Sequence, residues 1–195
     1  VQIDVIFCPF WVRAEDSRCF MKILTGIICL LMMAPAAFAG PKVGEAQVVD
    51  YVDIERFMGD WYVHGHTPTL LDNHTMNQIE SYKLEEDGTI ATTYTFYRKY
   101  PGGYQFKFTP KGRVYDKATN AHWKMQFVWP FKGNYLVVRL APDYSYTVIS
   151  VPKKDLIWVM SRAQQMDDVQ YDEILRDLAA DGYPVETIRR VPQTW

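Results

Sequence analysis

The chain has 195 residues, 48% of them hydrophobic and 23% charged, the composition of an ordinary globular domain. A net charge of -2 leaves no basic footprint for a polyanion and excludes a nucleic-acid binder. Cys8, Cys19 and Cys29 all precede residue 30, so the rest of the chain has no disulfide, thiol nucleophile or cysteine metal site.

Met21-Lys22, the apolar run 23–33 and Pro35-Ala36-Ala37-Phe38-Ala39 read as a secretory signal peptide cleaved after Ala39. The apolar run is too short to span a bilayer comfortably and lacks a basic stop-transfer flank. Residues 1–20 precede the initiator-like Met21 and read as an upstream extension. Cys29 follows Ile27-Ile28 rather than a small residue at the end of the run, so it is no lipid-attachment site. The expected product is one domain over residues 40–195, exported and soluble in the periplasm.

From Gly59 onward, turn signals recur at the spacing of an antiparallel barrel or sandwich. They bound eight predicted strands at 60–67, 77–85, 89–98, 104–115, 121–129, 134–141, 144–151 and 156–162, with one long connection over 68–76. Pro110 marks a bend in the fourth. Period-two alternation points Trp123, Met125 and Phe127 inward, together with Ile90, Thr92, Tyr94, Phe96, Phe106 and Phe108. The last of these strands is apolar on both faces, with Trp158 and Met160 in one set and Ile157 and Val159 in the other. A helix over 167–181, with Tyr171, Ile174, Leu175 and Leu178 at helical spacing, is the predicted cover. Asp167 or Asp168 caps its start, and a further strand near 185–191 extends the sheet edge.

Gly59-Asp60-Trp61-Tyr62, Lys124-Met125-Gln126-Phe127, Pro130-Phe131-Lys132-Gly133-Asn134-Tyr135, Asp143-Tyr144 and Trp158-Val159-Met160-Ser161-Arg162 stand in one order along the chain. In that order they resemble the lipocalins, in particular the bacterial, apolipoprotein D-like branch. The resemblance implies an all-β, eight-stranded antiparallel up-and-down barrel with a C-terminal α-helix packed outside. It also implies binding, storage or transport of a small amphipathic lipid of fatty-acid or lysophospholipid type in the cell envelope, with no enzyme activity, cofactor or metal. Pro142 stands where the family pattern has threonine, and Val63 where glutamate often follows the Trp-Tyr pair. Many members of that branch carry an acylation cysteine that this chain lacks.

On this reading Gly59, Trp61 and Arg162 form the barrel floor, the guanidinium stacking on the indole. The ligand-binding candidates are Tyr94, Phe96, Phe108, Trp123, Met125, Phe127, Tyr135, Arg139, Trp158 and Met160, which either line an open pocket or fill it. Arg98, Lys99, Lys132, Lys153 and Lys154 fall at the opposite end and form a basic mouth for an anionic head group. Tyr100, Tyr104, Trp129 and Phe131 lie near the same rim, where they can touch a membrane surface or gate the pocket. Arg139 points inward if it shares the face of Tyr135 and Val137, and is a surface charge if Leu136, Val138 and Leu140 do. His64 and His66 have a zinc-compatible spacing, but strict alternation from Trp61 turns both outward and Val63 and Gly65 inward. No nucleophile elbow or phosphate loop appears, so an isomerase or hydrolase on the same barrel and a filled structural barrel are the alternatives to lipid carriage. Oligomeric state is left open.

Overall fold

The computed structural model describes residues 46–70, 72–98 and 103–195; the segments read as an upstream extension and a signal peptide, with Lys99 and Tyr100, lie outside them. The strands are β1 Gly59–His66, β2 Thr75–Leu84, β3 Ile90–Arg98, β4 Gln105–Phe108, β5 Lys111–Asp116, β6 His122–Val128, β7 Phe131–Leu140, β8 Tyr146–Ser150, β9 Ile157–Ser161 and β10 Arg189–Arg190. Two helices flank them, α1 over Ile54–Phe57 and α2 over Asp168–Ala180. Neighbours pair antiparallel in chain order, and β9 returns to β1, closing the barrel. The expected fourth strand is broken into β4 and β5, which both pair with β3. Pro110 breaks it because proline has no N–H for the ladder, while its carbonyl still accepts from Thr92 N at 3.0 Å.

Closure gives the sheet an inner and an outer apolar face. Trp61, Val63, Tyr82, Ile90, Trp123, Met125, Tyr135, Val137, Ile149 and Met160 cluster inside, with Trp158 packed against them. Leu136, Val138, Val148, Ile157 and Val159 cluster outside, beneath Tyr171, Ile174 and Leu178 of α2. This explains why β9 is apolar on both sides: one set fills the barrel and the other seats the helix. Asp167 caps α2 by accepting from Val169 N at 2.9 Å and Gln170 N at 3.3 Å, satisfying two otherwise orphaned donors.

Three irregularities redirect side chains that strict alternation misplaces, since an extra residue flips everything after it to the other face. In β1 the register shifts between Val63 and Gly65. Gly65 therefore faces out against α2, where a Cβ would fall 2.2 Å from the Tyr171 hydroxyl, so only glycine permits this approach. His64 also faces out, 2.8 Å from Ser161 Oγ, and His66 turns inward, the reverse of the expectation for Gly65 and His66. The histidine pair is thus split across the sheet. In β7 the register shifts between Val137 and Arg139. Arg139 consequently leaves the barrel and pairs with Asp181 at the end of α2, so it is not a pocket residue. A shift between β6 and β7 after Met125 leaves Phe127 60% exposed instead of on the inner wall.

The floor is built by α1, a helix too short to show a periodicity in sequence. Phe57 from its end is buried against Trp61, Tyr82 and Trp123, at centroid distances of 4.9, 5.8 and 5.2 Å. Trp61 Nε1 donates to Phe57 O at 2.9 Å. The Arg162 guanidinium lies 3.8 Å from the Trp61 ring centroid and donates to the carbonyls of Arg56, Phe57, Met58 and Asp60. One cation thereby satisfies the C-terminal carbonyls of α1 and covers the indole. Gly59 adopts φ +95°, and a Cβ there would sit 3.3 Å from Arg162 Nη1.

At the opposite end β1 and β2 separate beyond the Tyr62–Ile79 pair. The expected strand near 185–191 is a 3-10 turn over Val185–Thr187 followed by the two-residue β10 on β1. The chain then fills the gap: Val191 N donates to His64 O, Asn77 N to Pro192 O, and Gln193 Nε2 to Val63 O and Gln78 O. Val191 itself joins the inner core.

Candidate functional site

The mouth half of the barrel carries a wall of stacked rings. Phe96 on β3 is fully buried and lies 5.3 Å from Phe106, 6.0 Å from Phe108 and 5.2 Å from Tyr94, centroid to centroid. Their β3–β4 register pairs Tyr94 with Phe108 and Phe96 with Phe106, so all four project from one face. Arg98, half-buried, places its guanidinium 4.9 Å from the Phe106 centroid at the top of this wall. Deeper, Tyr135 stacks on Trp123 at 5.3 Å and Met125 is buried beside them, so these candidates belong to the filled lower half. Trp158 and Met160 contribute from β9, Met160 fully buried and Trp158 partly exposed.

Beside the rings the interior holds polar groups that the sequence reading missed. Register places Glu80 opposite Trp61 and Tyr94, and therefore inside. Its Oε2 accepts from the Tyr82 hydroxyl, and the single proton of the Tyr135 hydroxyl is shared between Tyr82 Oη and the same Oε2. Burial pushes the Glu80 carboxyl up to about 7, only partly opposed by the tyrosine hydrogen bonds. Higher up, Asp72 from the loop between β1 and β2 accepts from Thr69 N at 2.8 Å, Thr69 Oγ1 at 2.7 Å and Tyr94 Oη at 3.2 Å. His66 Nδ1 stands 3.4 Å from Asp72 Oδ2, within electrostatic reach though outside good hydrogen-bond geometry. Burial alone would raise the Asp72 carboxyl, but His66 and Thr69 outweigh it and hold it at about 2.

The donors in this network can be assigned. Thr75 Oγ1 gives its proton to Asp72 O at 2.6 Å, so it can only accept from the Gln78 amide, which fixes Gln78 Nε2 on that side. The same Nε2 stands 3.3 Å from His66 Nε2, which therefore accepts, leaving the ring proton on Nδ1 toward Asp72. Gln78 Oε1 and, on β3, Thr92 Oγ1 are buried without a hydrogen-bond partner.

The rim is apolar and basic in part. Tyr104, Trp129 and Phe131 are exposed, the latter two by 82% and 75%, and Leu70 stands out from the β1–β2 loop. Lys132 and Lys153 are exposed and free to form the expected basic mouth with Arg98. Lys154 is not: its ammonium donates to Asp181 O at 2.7 Å and lies 4.7 Å from the Tyr183 centroid, docking the end of α2 outside the barrel. Of the mouth candidates, Lys99 lies outside the described residues.

Sequence gave little sign of Glu80, Gln78, Asp72 and His66. On β2 the set Gln78, Glu80, Tyr82 is no more apolar than Asn77, Ile79, Ser81, so alternation cannot choose the inner face; the pairing of Trp61 with Glu80 decides it. His66 depends on the β1 bulge.

A closed up-and-down barrel with a sealed floor, an outer C-terminal helix and an aromatic mouth defines a class that holds small hydrophobic molecules. The lipocalin-like domain family matches residues 52–193, and the chain belongs to the lipocalins. It is similar to temperature-induced lipocalin-1 of Arabidopsis thaliana, 27% identical over 77% of this chain and 84% of that protein. It is also similar to the outer membrane lipoprotein Blc of Escherichia coli K12, 26% identical over 75% of this chain and 82% of that one. Among solved structures, insecticyanin of the tobacco hornworm Manduca sexta shares the fold with a TM-score of 0.60 at 15% identity, over 77% of this chain and 85% of that chain. The barrel and these relatives together support small hydrophobic ligand binding or transport. Among the described residues no helix is long and apolar enough to cross a membrane, which says nothing of strands.

Proposed function

We propose that the protein is exported to the bacterial cell envelope and there binds or carries a single-chain amphipathic lipid, its chain against the Tyr94, Phe96, Phe106 and Phe108 wall and its head group at the rim. The observation that carries this reading is that stack of rings beneath an exposed aromatic rim, an arrangement that presents apolar surface to a ligand entering from the mouth. A lysophospholipid type suits it better than a free fatty acid. A phosphate can remain at Arg98, Lys132 and Lys153, whereas a carboxylate drawn inside would meet Asp72 and Glu80. The exposure of Trp129, Phe131 and Tyr104 supports contact with the bilayer from which such a lipid is taken.

The test is titration of tryptophan fluorescence with lysophosphatidylglycerol and with a monoacylglycerol of equal chain length. Both should bind, and K132E/K153E should weaken the anionic lipid about threefold to tenfold relative to the neutral one, less at high salt because exposed charges are screened. An unchanged preference would remove the basic rim from the proposal, and no response to either lipid would remove lipid carriage.

Export has its own check. Mass spectrometry of the protein recovered from a bacterial periplasm should show Gly40 as the first residue and no acyl group. An acylated Cys29 would overturn the signal-peptide assignment.

A further inference from the structure

Beyond the Tyr62–Ile79 pair, β2 leaves β1 for a local reason. Its register against β3 shifts between Met76 and Ile79, and His74 and Asn77 take left-handed backbone conformations at φ +57° and +51°. Histidine and asparagine tolerate that region better than most residues. The C-terminal segment enters the opening, where Pro192 O accepts from Asn77 N at 2.9 Å. A cleft of about 400 Å³ remains between the β1–β2 loop and this segment. His66 and Thr75 line it and are buried, whereas Asn73 and His74 from the loop and Arg189 from β10 line it and are exposed. The cleft therefore runs from the barrel wall out to solvent.

Its charge is one-sided, because none of the residues lining it is acidic. Asp72, next in sequence to Asn73, is buried and already accepts from Thr69 and Tyr94. Arg190 is no ligand either, since its guanidinium bonds Asp168 Oδ1 at 2.7 Å and lies 3.9 Å from the Tyr171 centroid on the outer face. Arg189 differs. Register sets it opposite His66 and so on the same face of the sheet. Its Nη1 donates to Glu186 O at 2.8 Å and to Ile188 O at 3.4 Å, which holds the guanidinium against its own turn. Among the described residues no carboxylate pairs with it. Three N–H groups remain on Nε and Nη2, the edge that meets an oxyanion with two parallel hydrogen bonds. A planar fork already fixed in place loses little freedom on binding.

We infer that this seam cleft binds a phosphate group, Arg189 engaging two of its oxygens through Nε and Nη2 while Asn73 and His74 supply further donors from the facing loop. The chemistry recognised is that of a phosphate oxyanion, whether free or in a lipid head group. The site goes beyond the lipid-carriage reading, whose basic rim is Arg98, Lys132 and Lys153, and stands without it.

The experiment is an NMR titration of the isotope-labelled chain with inorganic phosphate, against sodium chloride at the same ionic strength, on wild type, Arg189→Gln and Arg189→Lys. In wild type the Arg189 Nε–H, the Asn73 side-chain amide and the His74 ring signals should move with phosphate and not with chloride. Arg189→Gln should weaken phosphate about tenfold or more, and Arg189→Lys, which keeps the charge without the fork, about threefold or more. Arg189 is exposed and bonds only carbonyls of its own turn, so both variants should keep the wild-type spectrum away from the seam. Signals that stay still, or move equally with chloride, overturn the site. A lysine variant as good as wild type also overturns it, since diffuse charge then explains the binding. The source of the phosphate is read from lysophosphatidylglycerol and a monoacylglycerol of equal chain length on Arg189→Gln. If the preference for the anionic lipid is lost, the cleft takes the lipid head group; if it is kept while inorganic phosphate is lost, the cleft takes free phosphate and the head group stays at the rim. Phosphate binding with neither lipid bound leaves the cleft standing and removes lipid carriage, and the converse result does the reverse.

Discussion

Replacing Trp61 with alanine is expected to lower stability by about 3–5 kcal/mol, the range for truncating a large buried aromatic. The indole is fully buried, packs on Phe57 at 4.9 Å and bonds its carbonyl, and lies under Arg162. Its removal opens a cavity at the floor and strips the apolar support from α1, whose carbonyls Arg162 holds. Urea unfolding followed by circular dichroism checks this, and Trp61→Phe should recover part of the loss. A loss near the surface value of about 0.5 kcal/mol would show that the floor is not closed by this residue.

Glu80→Gln is expected to change the pH dependence of stability by about 3 kcal/mol between pH 4 and pH 8. In the folded protein burial raises the Glu80 carboxyl from 4.5 to about 7. Between those values the folded state keeps a proton that the unfolded state has released, so stability falls as pH rises through this window and then levels off. His64 does the opposite. Burial lowers it from 6.5 to about 4, outweighing its bond to the Ala163 carbonyl, so from pH 4 to 6.5 the unfolded state binds the extra proton and stability rises with pH. The two slopes nearly cancel in the wild-type chain, which should be almost flat from about pH 4.5 to 6.5. The variant loses the Glu80 slope and keeps that of His64, so its stability minus that of wild type should climb steadily from pH 4 and level off above pH 7. Asp72, held at about 2, acts only below 3.8, where its stabilisation is lost on acidification. Denaturant unfolding of both proteins at four or five pH values gives the difference directly, and a constant difference would mean that Glu80 titrates as an exposed carboxyl.

The relation of the interior to the rim bears on function. Exposed rings and solvated lysines at the rim suit a lipid surface, where long-range charge helps capture but contributes modestly to affinity. Inside, water is excluded, so each polar group there, Glu80, Gln78 and Asp72 among them, interacts more strongly than a solvated charge outside. The Gly65–Tyr171 contact adds a structural constraint: α2 sits so close to β1 that the bulge and the helix position each other.

By itself, local pattern in the sequence determined the antiparallel strands and the outer helix, while the closed barrel and its floor came from the resemblance of its ordered motifs to the lipocalins. Period-two alternation with regular turns makes antiparallel strands, the two-faced apolar strand β9 demands a cover, and the Asp167 cap with its helical stripe supplies one. Alternation also placed Tyr94, Phe96, Trp123 and Met125 correctly, since no bulge interrupts β3 or the first part of β6. Only the tertiary structure decided the chemistry of the interior. Bulges at Val63–Gly65 and Val137–Arg139 each add a residue that no local pattern announces, and they send His66 in and Arg139 out. Lys154 became a helix-docking residue because α2 ends beside it. Glu80 lies inside because a closed sheet must pair it with Trp61, and the fate of a carboxyl on a strand of mixed character is set by its partner across the ladder rather than by its neighbours in sequence.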